Sequence, residues 1–278
     1  MSVILFSIII LVGSYFAGLL GSLTGLGGGV VIIPLLTLLL NVNIHYAIGA
    51  SLVSVIATSS GSAAAYVKEG ITNMRLGMFL EIATTSGAMC GAILAIYIPT
   101  HYIAVIFGVI LIISALLSLR NKTAHITVRK SYLAEKLKLN SNYPTTDGKI
   151  EYGVSNVTGG FFMMLFAGVI SGLLGIGSGA LKVIAMDTIM RIPFKVSTTT
   201  SNFMIGVTAS ASAVVYLQRG YINPGLSMPV VIGVLLGAFT GSKILVNTTS
   251  SGWLRWVFAI VVCFLAIQMI YNGLIGKI

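Results

Sequence analysis

Eight long apolar runs dominate this chain, and each contains 18 to 25 residues. About 20 apolar residues in helical form cross the hydrocarbon core of a bilayer. Only 8% of the residues are charged, whereas a soluble domain carries about 25%. A soluble enzyme and a nucleic-acid-binding domain are therefore excluded, and we predict an all-α polytopic membrane protein. The runs are Ser2–Leu23, Ile44–Val67, Met74–Ile98, Tyr102–Leu119, Thr158–Gly175, Phe194–Leu217, Leu226–Val246 and Trp253–Ile275.

The sequence repeats itself with an offset of 150 residues. Residues 16–91 align with residues 166–241 without a gap, and more than a quarter of the aligned positions are identical. Shared hydrophobicity alone would not place glycines and a tyrosine in register. These identities include Gly25/Gly175, Gly27/Gly177, Gly29/Gly179, Ser51/Ser201, Tyr66/Tyr216 and Gly70/Gly220. We predict two transmembrane repeats, residues 1–119 and 157–278, joined by a linker at 120–156.

The linker is the one polar stretch, with seven Lys or Arg against three acidic residues. Basic loops stay on the cytoplasmic side of a membrane, so we expect the linker there. Each repeat has five membrane crossings if its short apolar run, described next, also crosses the bilayer. This inverted topology places thirteen of the 16 basic residues on the cytoplasmic side, whereas a topology in which the short runs do not cross places eleven there. We therefore favour inverted repeats with both termini outside. Within the linker, Val128–Leu139 is a plain connection or, alternatively, an amphipathic surface helix with Leu133 and Leu137 on its apolar side.

Each repeat also contains a glycine-rich loop followed by an apolar run too short to span a bilayer. Gly29–Leu40 and Gly179–Met190 would each reach roughly 18 Å as a helix, which predicts short broken or re-entrant helices. A glycine loop before a helix presents free N–H groups and the positive end of the helix dipole. Paired interrupted helices are typical of a transporter's central site. We therefore place substrate binding at Gly27, Gly28, Gly29, Gly177, Ser178 and Gly179; tight packing by small residues is the alternative.

The run after each short segment is rich in hydroxyl side chains. Ser51 in the first repeat and Thr200, Ser201 and Asn202 in the second lie near the starts of these runs. Such groups can donate hydrogen bonds to an anion without burying a charge. We count them as substrate-binding candidates, although they can equally bond to their own helix or a neighbour.

Three ionisable residues lie within apolar runs, where a charge is costly and indicates function. Lys182 follows Gly179 by three residues and is expected either to face an anionic substrate or to pair with Asp187. Glu81 and Asp187 are candidates for proton coupling, with a structural hydrogen bond as the alternative for Glu81. No metal or cofactor site is expected, because no His or Cys cluster accompanies them.

Several of these motifs resemble the sulfite exporter TauE/SafE family of membrane permeases. The resemblance rests on Gly25-Leu26-Gly27-Gly28-Gly29 with Pro34, His45 to Leu52, Tyr66 to Gly70, Gly175 to Gly179, Thr200-Ser201-Asn202 and Gly220 to Pro224. The family implies a bacterial or archaeal plasma-membrane permease for small sulfur-containing or carboxylate anions. The chain departs from the family pattern at Ala50, where Thr is typical, at Ser178, where a third glycine is common, and at Lys182. These departures bear on the substrate rather than on the fold.

We therefore expect a secondary transporter, an exporter of small anions such as sulfite, sulfoacetate or related organosulfur compounds, that works by alternating access. Its expected partners are the anionic solute, the lipid bilayer and further copies of itself, with no nucleic acid. The alternatives are an anion channel of the same fold and an importer of a small carboxylate or sulfur compound. A membrane-embedded enzyme is not expected, because the apolar runs lack clustered catalytic side chains.

Overall fold

A computed structural model describes residues 3–24, 28–68, 70–119, 131–145, 148–247 and 252–277, which are mostly helical. Eight helices of 18 to 25 residues are separated by short helices and one hairpin. In chain order the elements are α1 (Val3–Thr24), α2 (Gly29–Pro34), α3 (Ile44–Lys68), α4 (Met74–Tyr97), α5 (Thr100–Leu119), α6 (Tyr132–Lys136), β1 (Ser141–Thr145), β2 (Gly148–Tyr152), α7 (Val157–Leu174), α8 (Gly179–Ile184), α9 (Phe194–Gln218), α10 (Pro224–Asn247) and α11 (Gly252–Ile275).

The eight long helices confirm the eight apolar runs, with most ends within two residues of the prediction. Over their described residues, α3, α4, α7 and α9 are long and apolar enough to cross a bilayer. The two short segments are also confirmed. Each consists of a six-residue α-helix, α2 or α8, that continues into a five-residue π-helical turn, Leu35–Leu39 or Ala185–Ile189. The chain is a polytopic helical membrane protein.

Helix packing connects the two halves of the chain extensively. α1 packs along α10, α4 packs along α7, α5 packs along α11, and α3 packs against α9. If α1–α5 are exchanged for α7–α11, the first of these pairs becomes the second, and the last two pairs map onto themselves. The short helices follow the same pattern, since α2 contacts α1, α3 and α11 while α8 contacts α7, α9 and α5.

Glycines allow the backbones of α4 and α7 to approach closely. A Cβ at Gly91 would overlap the carbonyl oxygen of Val169, and one at Gly172 would overlap that of Ala88. Small residues one turn apart are the usual means of close helix contact in membranes, where lipid is as apolar as leucine. The equivalent pair α1 and α10 uses the same device, because Gly18 faces the backbone of Val234 and Gly237 faces that of Tyr15.

The linker corrects the all-α prediction, because it contains an antiparallel hairpin. β1 pairs with β2 from Ser141 opposite Tyr152 to Thr145 opposite Gly148. The sequence signal was Asp147 next to Gly148, because aspartate and glycine are typical of the turns between strands. Of the predicted amphipathic segment, residues 128–130 lie outside the described residues. The helix α6 ends at Lys136, with Ala134 buried and Leu133 and Leu137 exposed, so its place on a membrane surface stays a prediction.

The linker packs onto one end of the helix bundle through an apolar cluster, called here the linker cluster. Its buried side chains come from the linker, from α4, from α7, from the π-helical turn after α8 and the residues that follow it, and from α9. They include Leu139, Tyr152 and Val154, Leu76 and Leu80, Met186 and Met190, and Val196 and Met204. The cluster therefore covers the end of the bundle at which α4 and α9 begin.

Asn73 ties the linker to the start of α4. Its side-chain oxygen accepts a hydrogen bond from the Leu76 backbone N–H (3.1 Å), which caps the helix. Its side-chain nitrogen donates to the carbonyl oxygen of Leu139 and to the hydroxyl oxygen of Tyr152, both at 2.9 Å. Burial raises the pKa of Tyr152 to about 12, so this hydroxyl stays protonated at all physiological pH values.

Substituting Asn73 by alanine should destabilise the protein more than the same change at Asn223, its counterpart in the second repeat. Asn223 caps α10 through the Gly225 backbone N–H at an exposed position. We expect Asn223→Ala to lower the free energy of unfolding by about 1 kcal/mol, the value of one cap. Asn73→Ala should lower it by about 2–3 kcal/mol, because two buried hydrogen bonds are lost as well. Denaturant unfolding in detergent measures both changes, and equal losses would show that Asn73 does not hold the linker.

Candidate functional site

The two short helices meet beside a small cavity inside the bundle. Val30 of α2 lines one part of it, and Gly179 and Leu181 of α8 line another, together with Ile176 before α8. The remaining lining residues are Ile110, Ser114 and Ser178. The cavity has a volume of about 10 Å³, room for roughly one water molecule. Residues of both repeats thus enclose the same space.

The second glycine loop turns sharply before it enters α8. Gly175, at the end of α7, has φ +66°, and Gly177 has φ +71°. Ser178 has φ +45°, a backbone conformation that disfavours residues with a Cβ, although its counterpart Gly28 has φ −68°. The Ser178 side chain is 4% exposed, and its hydroxyl has no hydrogen-bond partner among the described residues. Ser178 therefore offers a free hydroxyl group at the cavity.

Ser51 and Ser201 hold the second loop in place. The Ser51 hydroxyl, on α3, donates to the carbonyl oxygen of Gly175 at 2.9 Å across the two repeats. The Ser201 hydroxyl, on α9, donates to the carbonyl oxygen of Gly179 at 3.3 Å. Both side chains are almost fully buried. In this structure they position the loop, so their predicted contact with a solute stays a prediction.

The predicted glycines permit close helix approach. A Cβ at Gly29 would lie 2.5 Å from the Ser51 hydroxyl, and one at Gly179 would lie 2.7 Å from the Ile205 side chain. At Gly28 it would lie 3.1 Å from the Val234 side chain, a tight contact. Gly27 lies outside the described residues. The packing alternative thus describes what these glycines do in this structure, while their backbone N–H groups stay candidates for substrate contact.

The other two α9 candidates differ in their surroundings. The Thr200 hydroxyl oxygen accepts a hydrogen bond from the Asn73 backbone N–H at 3.1 Å, so it joins α9 to the start of α4. Asn202 is half-buried on the same helix. Thr200 therefore has a structural contact, and the role of Asn202 stays a prediction.

Lys182 is fully buried and belongs to a polar cluster that three elements build. Its ammonium group donates to the hydroxyl oxygen of Thr208 on α9 at 2.5 Å. The Thr208 hydroxyl in turn lies 2.6 Å from the Oε1 atom of Glu81 on α4, to which it can donate. Thr85 donates to the same carboxylate oxygen at 3.0 Å. A buried cation and a buried acid, 101 residues apart in the sequence, are thus joined through one hydroxyl group.

The linker cluster closes off this polar cluster on one side. Leu80 precedes Glu81, Met186 follows Lys182 by one turn, and Met204 precedes Thr208 by one turn. All three apolar side chains are fully buried. Lys182 itself is fully buried, so its side chain has no contact with solvent in this conformation.

Sequence reasoning found Lys182 and Glu81 but not the residue that joins them. Thr208 is one of many hydroxyl residues on α9, and only the fold distinguishes it. Its counterpart in the first repeat is also a threonine, Thr58, and this identity was the one signal in the sequence that could have singled it out. The counterparts of Lys182 and Glu81 are the apolar residues Ile32 and Val231. Asp187 is half-buried on the π-helical turn after α8. The contact found for the Lys182 ammonium group leads to Thr208, not back to the glycine loop.

Comparison with known proteins places the chain in a family. The family model described as "Sulfite exporter TauE/SafE" matches residues 10–269. The "Probable membrane transporter protein YunE" of Bacillus subtilis (strain 168) is 30% identical over 275 residues, covering 96% of this chain and 98% of that protein. The "Probable membrane transporter protein YdhB" of the same organism is 28% identical over 84% of this chain and 89% of its own. The "Probable membrane transporter protein MJ0441" of Methanocaldococcus jannaschii is 26% identical over 87% and 85%.

No solved structure matches the chain significantly. The family match covers both repeats and the linker, and it includes the short helices, the buried lysine and the cavity between the repeats. The sequence motifs, the helical membrane architecture and the matched relatives agree, and the chain belongs to the TauE/SafE family of membrane transporters.

Proposed function

We propose that the protein is a secondary transporter of the plasma membrane that exports small anions, such as sulfite, sulfoacetate or related organosulfur compounds. The observation that carries this proposal is Lys182, a fully buried cation inside the membrane-spanning part of a transporter. Intramembrane charges are costly and are kept at solute and ion pathways. The description of the matching family supports a sulfur oxyanion as the cargo.

Lys182 would supply the positive charge that attracts the anion. Ser178, with its free hydroxyl, lies one helical turn before Lys182 and would donate a hydrogen bond. Backbone N–H groups of the glycine loops, with Ser201 and Asn202, would complete the site once the helices separate. Because Ser178 and Lys182 are almost fully buried, this conformation is closed around these two side chains.

Alternating access would follow from two inverted repeats that rock against each other. The exchange of helix contacts between the halves supports such an arrangement, since α1 on α10 and α4 on α7 are equivalent pairs. The basic residues of the linker support its placement in the cytoplasm. The linker cluster would then form the closed cytoplasmic end of the transporter.

Flux measurements in proteoliposomes test the proposal. We expect saturable uptake and efflux of at least one of sulfite, sulfoacetate and thiosulfate, with lactate as a carboxylate comparison. Saturation with concentration and stimulation by the same anion on the opposite side indicate a carrier. Flux that rises linearly and lacks this stimulation would favour a channel of the same fold. If none of the three sulfur anions crosses faster than in protein-free liposomes, the proposed substrate class is wrong.

A further inference from the structure

The carboxylate of Glu81 is only half satisfied. Oε1 lies within hydrogen-bond distance of Thr208 and Thr85, but the buried Oε2 atom has no hydrogen-bond partner among the described residues. Glu81 is 8% exposed and lies in a membrane-spanning helix. A buried carboxylate oxygen without a donor is unfavourable. Oε2 is therefore the atom of this cluster at which a proton could be held.

Thr208 can serve both states of Glu81. Its single hydroxyl proton has two acceptors within reach, Glu81 Oε1 at 2.6 Å and the Met204 carbonyl oxygen at 2.8 Å. When Glu81 is ionised, the hydroxyl accepts from Lys182 and donates to the carboxylate. When Glu81 is protonated, the hydroxyl can turn its proton to Met204. Rotation of one hydroxyl thus connects or disconnects the acid and the lysine.

Other titratable groups near this cluster are few. Of the helices that pack against α4 and α8, α7 carries no titratable side chain. On α4, the other titratable side chains are Arg75, Cys90 and Tyr97, each at least six residues from Glu81. On α9 they are Lys195 and Tyr216, each at least eight residues from Thr208, and on α5 they are His101 and Tyr102 in the first turn. Asp187 follows Lys182 by five residues. Glu81 is the acid that Thr208 joins to Lys182.

We propose that Glu81 takes up one proton with each anion, so that the protein is an anion–proton symporter. Such a symporter exports the anion when the outward anion gradient exceeds the inward proton gradient. In the empty transporter the ionised Glu81 neutralises Lys182 through Thr208. An arriving anion replaces Glu81 as the partner of Lys182, and Glu81 takes a proton from the same aqueous side. On the opposite side the anion leaves, and Glu81 releases the proton to that side and pairs with Lys182 again. This inference rests on the proposed anion transport.

Charge balance is the physical reason for the coupling. Lys182 with ionised Glu81 is neutral. Protonation of Glu81 leaves the positive charge of Lys182 for the anion, where it balances a monovalent anion or one of the two negative charges of sulfoacetate. Without the proton, the loaded site would hold two negative groups around one cation in a medium of low dielectric constant, which is strongly unfavourable. Proton and anion therefore increase each other's affinity, as any two linked ligands must.

The test measures proton and anion fluxes in the same proteoliposomes. The full chain is reconstituted with a pH-sensitive dye inside, equal K⁺ on both sides and valinomycin to hold the potential at zero. An inward gradient of labelled sulfoacetate is applied, and exchange of labelled for unlabelled sulfoacetate is followed separately. We expect internal acidification at about one proton per sulfoacetate, the ratio set by a single coupled acid.

Glu81→Gln supplies the decisive variant, because glutamine imitates the protonated acid. We expect acidification to disappear and exchange to remain measurable, with its rate independent of pH. Net uptake should fall roughly tenfold or more, because the empty transporter must return with an uncompensated Lys182. Glu151→Gln, at an exposed position on β2, is the matched control and should keep wild-type acidification.

The outcomes separate this inference from the proposed function. Sulfoacetate exchange without acidification in the wild type overturns the symport and leaves anion transport intact. Wild-type acidification by Glu81→Gln assigns the proton to another group and overturns the role of Glu81. Absence of exchange in the wild type overturns sulfoacetate transport itself. The stoichiometry of the wild type decides the question even if the variant fails to fold.

Discussion

Replacing Lys182 by methionine is expected to reduce anion flux about 10- to 140-fold, because a hydrogen bond to a charged group contributes about 1.5–3 kcal/mol and each 1.4 kcal/mol is a factor of ten. Methionine fills a similar volume and keeps the apolar part of the side chain. It removes the ammonium group that contacts Thr208 and, in the proposed mechanism, the anion. The measurement is the initial rate of labelled sulfoacetate uptake into proteoliposomes that contain equal amounts of protein.

Lys149→Met is the matched control for this substitution. Lys149 is exposed on β2, outside the membrane-spanning part. The substitution therefore removes one positive charge from the linker and leaves the buried polar cluster unchanged. We expect wild-type flux from this variant. If Lys182→Met transports at the wild-type rate, Lys182 does not hold the substrate and the anion site lies elsewhere.

A double variant separates binding from folding. Lys182→Met leaves Glu81 without its cation, and removing one partner of a buried pair costs about 3–5 kcal/mol unless the acid takes a proton. Lys182→Met combined with Glu81→Gln removes both charges, so its unfolding temperature should be at or above that of the single variant. Its transport should stay as low as that of Lys182→Met, because neither restores the cation. Recovery of transport in the double variant would contradict an anion site at Lys182.

The sequence predicts the long helices well because the cause of each is local. A run such as Met74–Ile98 must be helical in a bilayer, since no other conformation satisfies its backbone there. The same reasoning located the short helices after Gly29 and Gly179, because 12 apolar residues cannot span. The β1–β2 hairpin was not predicted, because water can satisfy the backbone of a polar segment in many conformations and the sequence does not require one of them.

The candidate site was only partly predictable because its contacts are not local. The cost of an isolated charge in an apolar run identified Lys182 and Glu81 from the sequence. The link between them through Thr208 depends on how α4, α8 and α9 pack together. The sequence of any one of these helices does not determine that packing. Asp187, five residues from Lys182, was the natural local partner to consider, whereas the observed contact runs through Thr208. Ser114 was missed for the same reason, because α5 reaches the cavity only through tertiary packing.

Gly172→Leu is expected to prevent folding of the membrane-spanning part. A side chain at this position meets the backbone of α4 at Ala88, and neither backbone can move aside as a flexible side chain can. Overpacking of a closely packed core costs about 1–3 kcal/mol and more where backbones must separate. The change also displaces Glu81 and the loop before α8, since both lie on the helices that would be pushed apart. We expect little monodisperse protein in size-exclusion chromatography and no anion flux.

Gly61→Leu is the matched control, because a Cβ at Gly61 on α3 has no atom within 4 Å. It makes the same chemical change at an exposed helix position and should give protein with a wild-type elution profile. Gly18→Leu, at the equivalent crossing of α1 with α10, should fail as Gly172→Leu does, because its side chain meets the Val234 backbone. If Gly172→Leu elutes and unfolds like Gly61→Leu, α4 and α7 do not cross at their glycines. The position of Glu81 relative to Lys182 would then need another explanation, because the contact between α4 and α7 helps to set it.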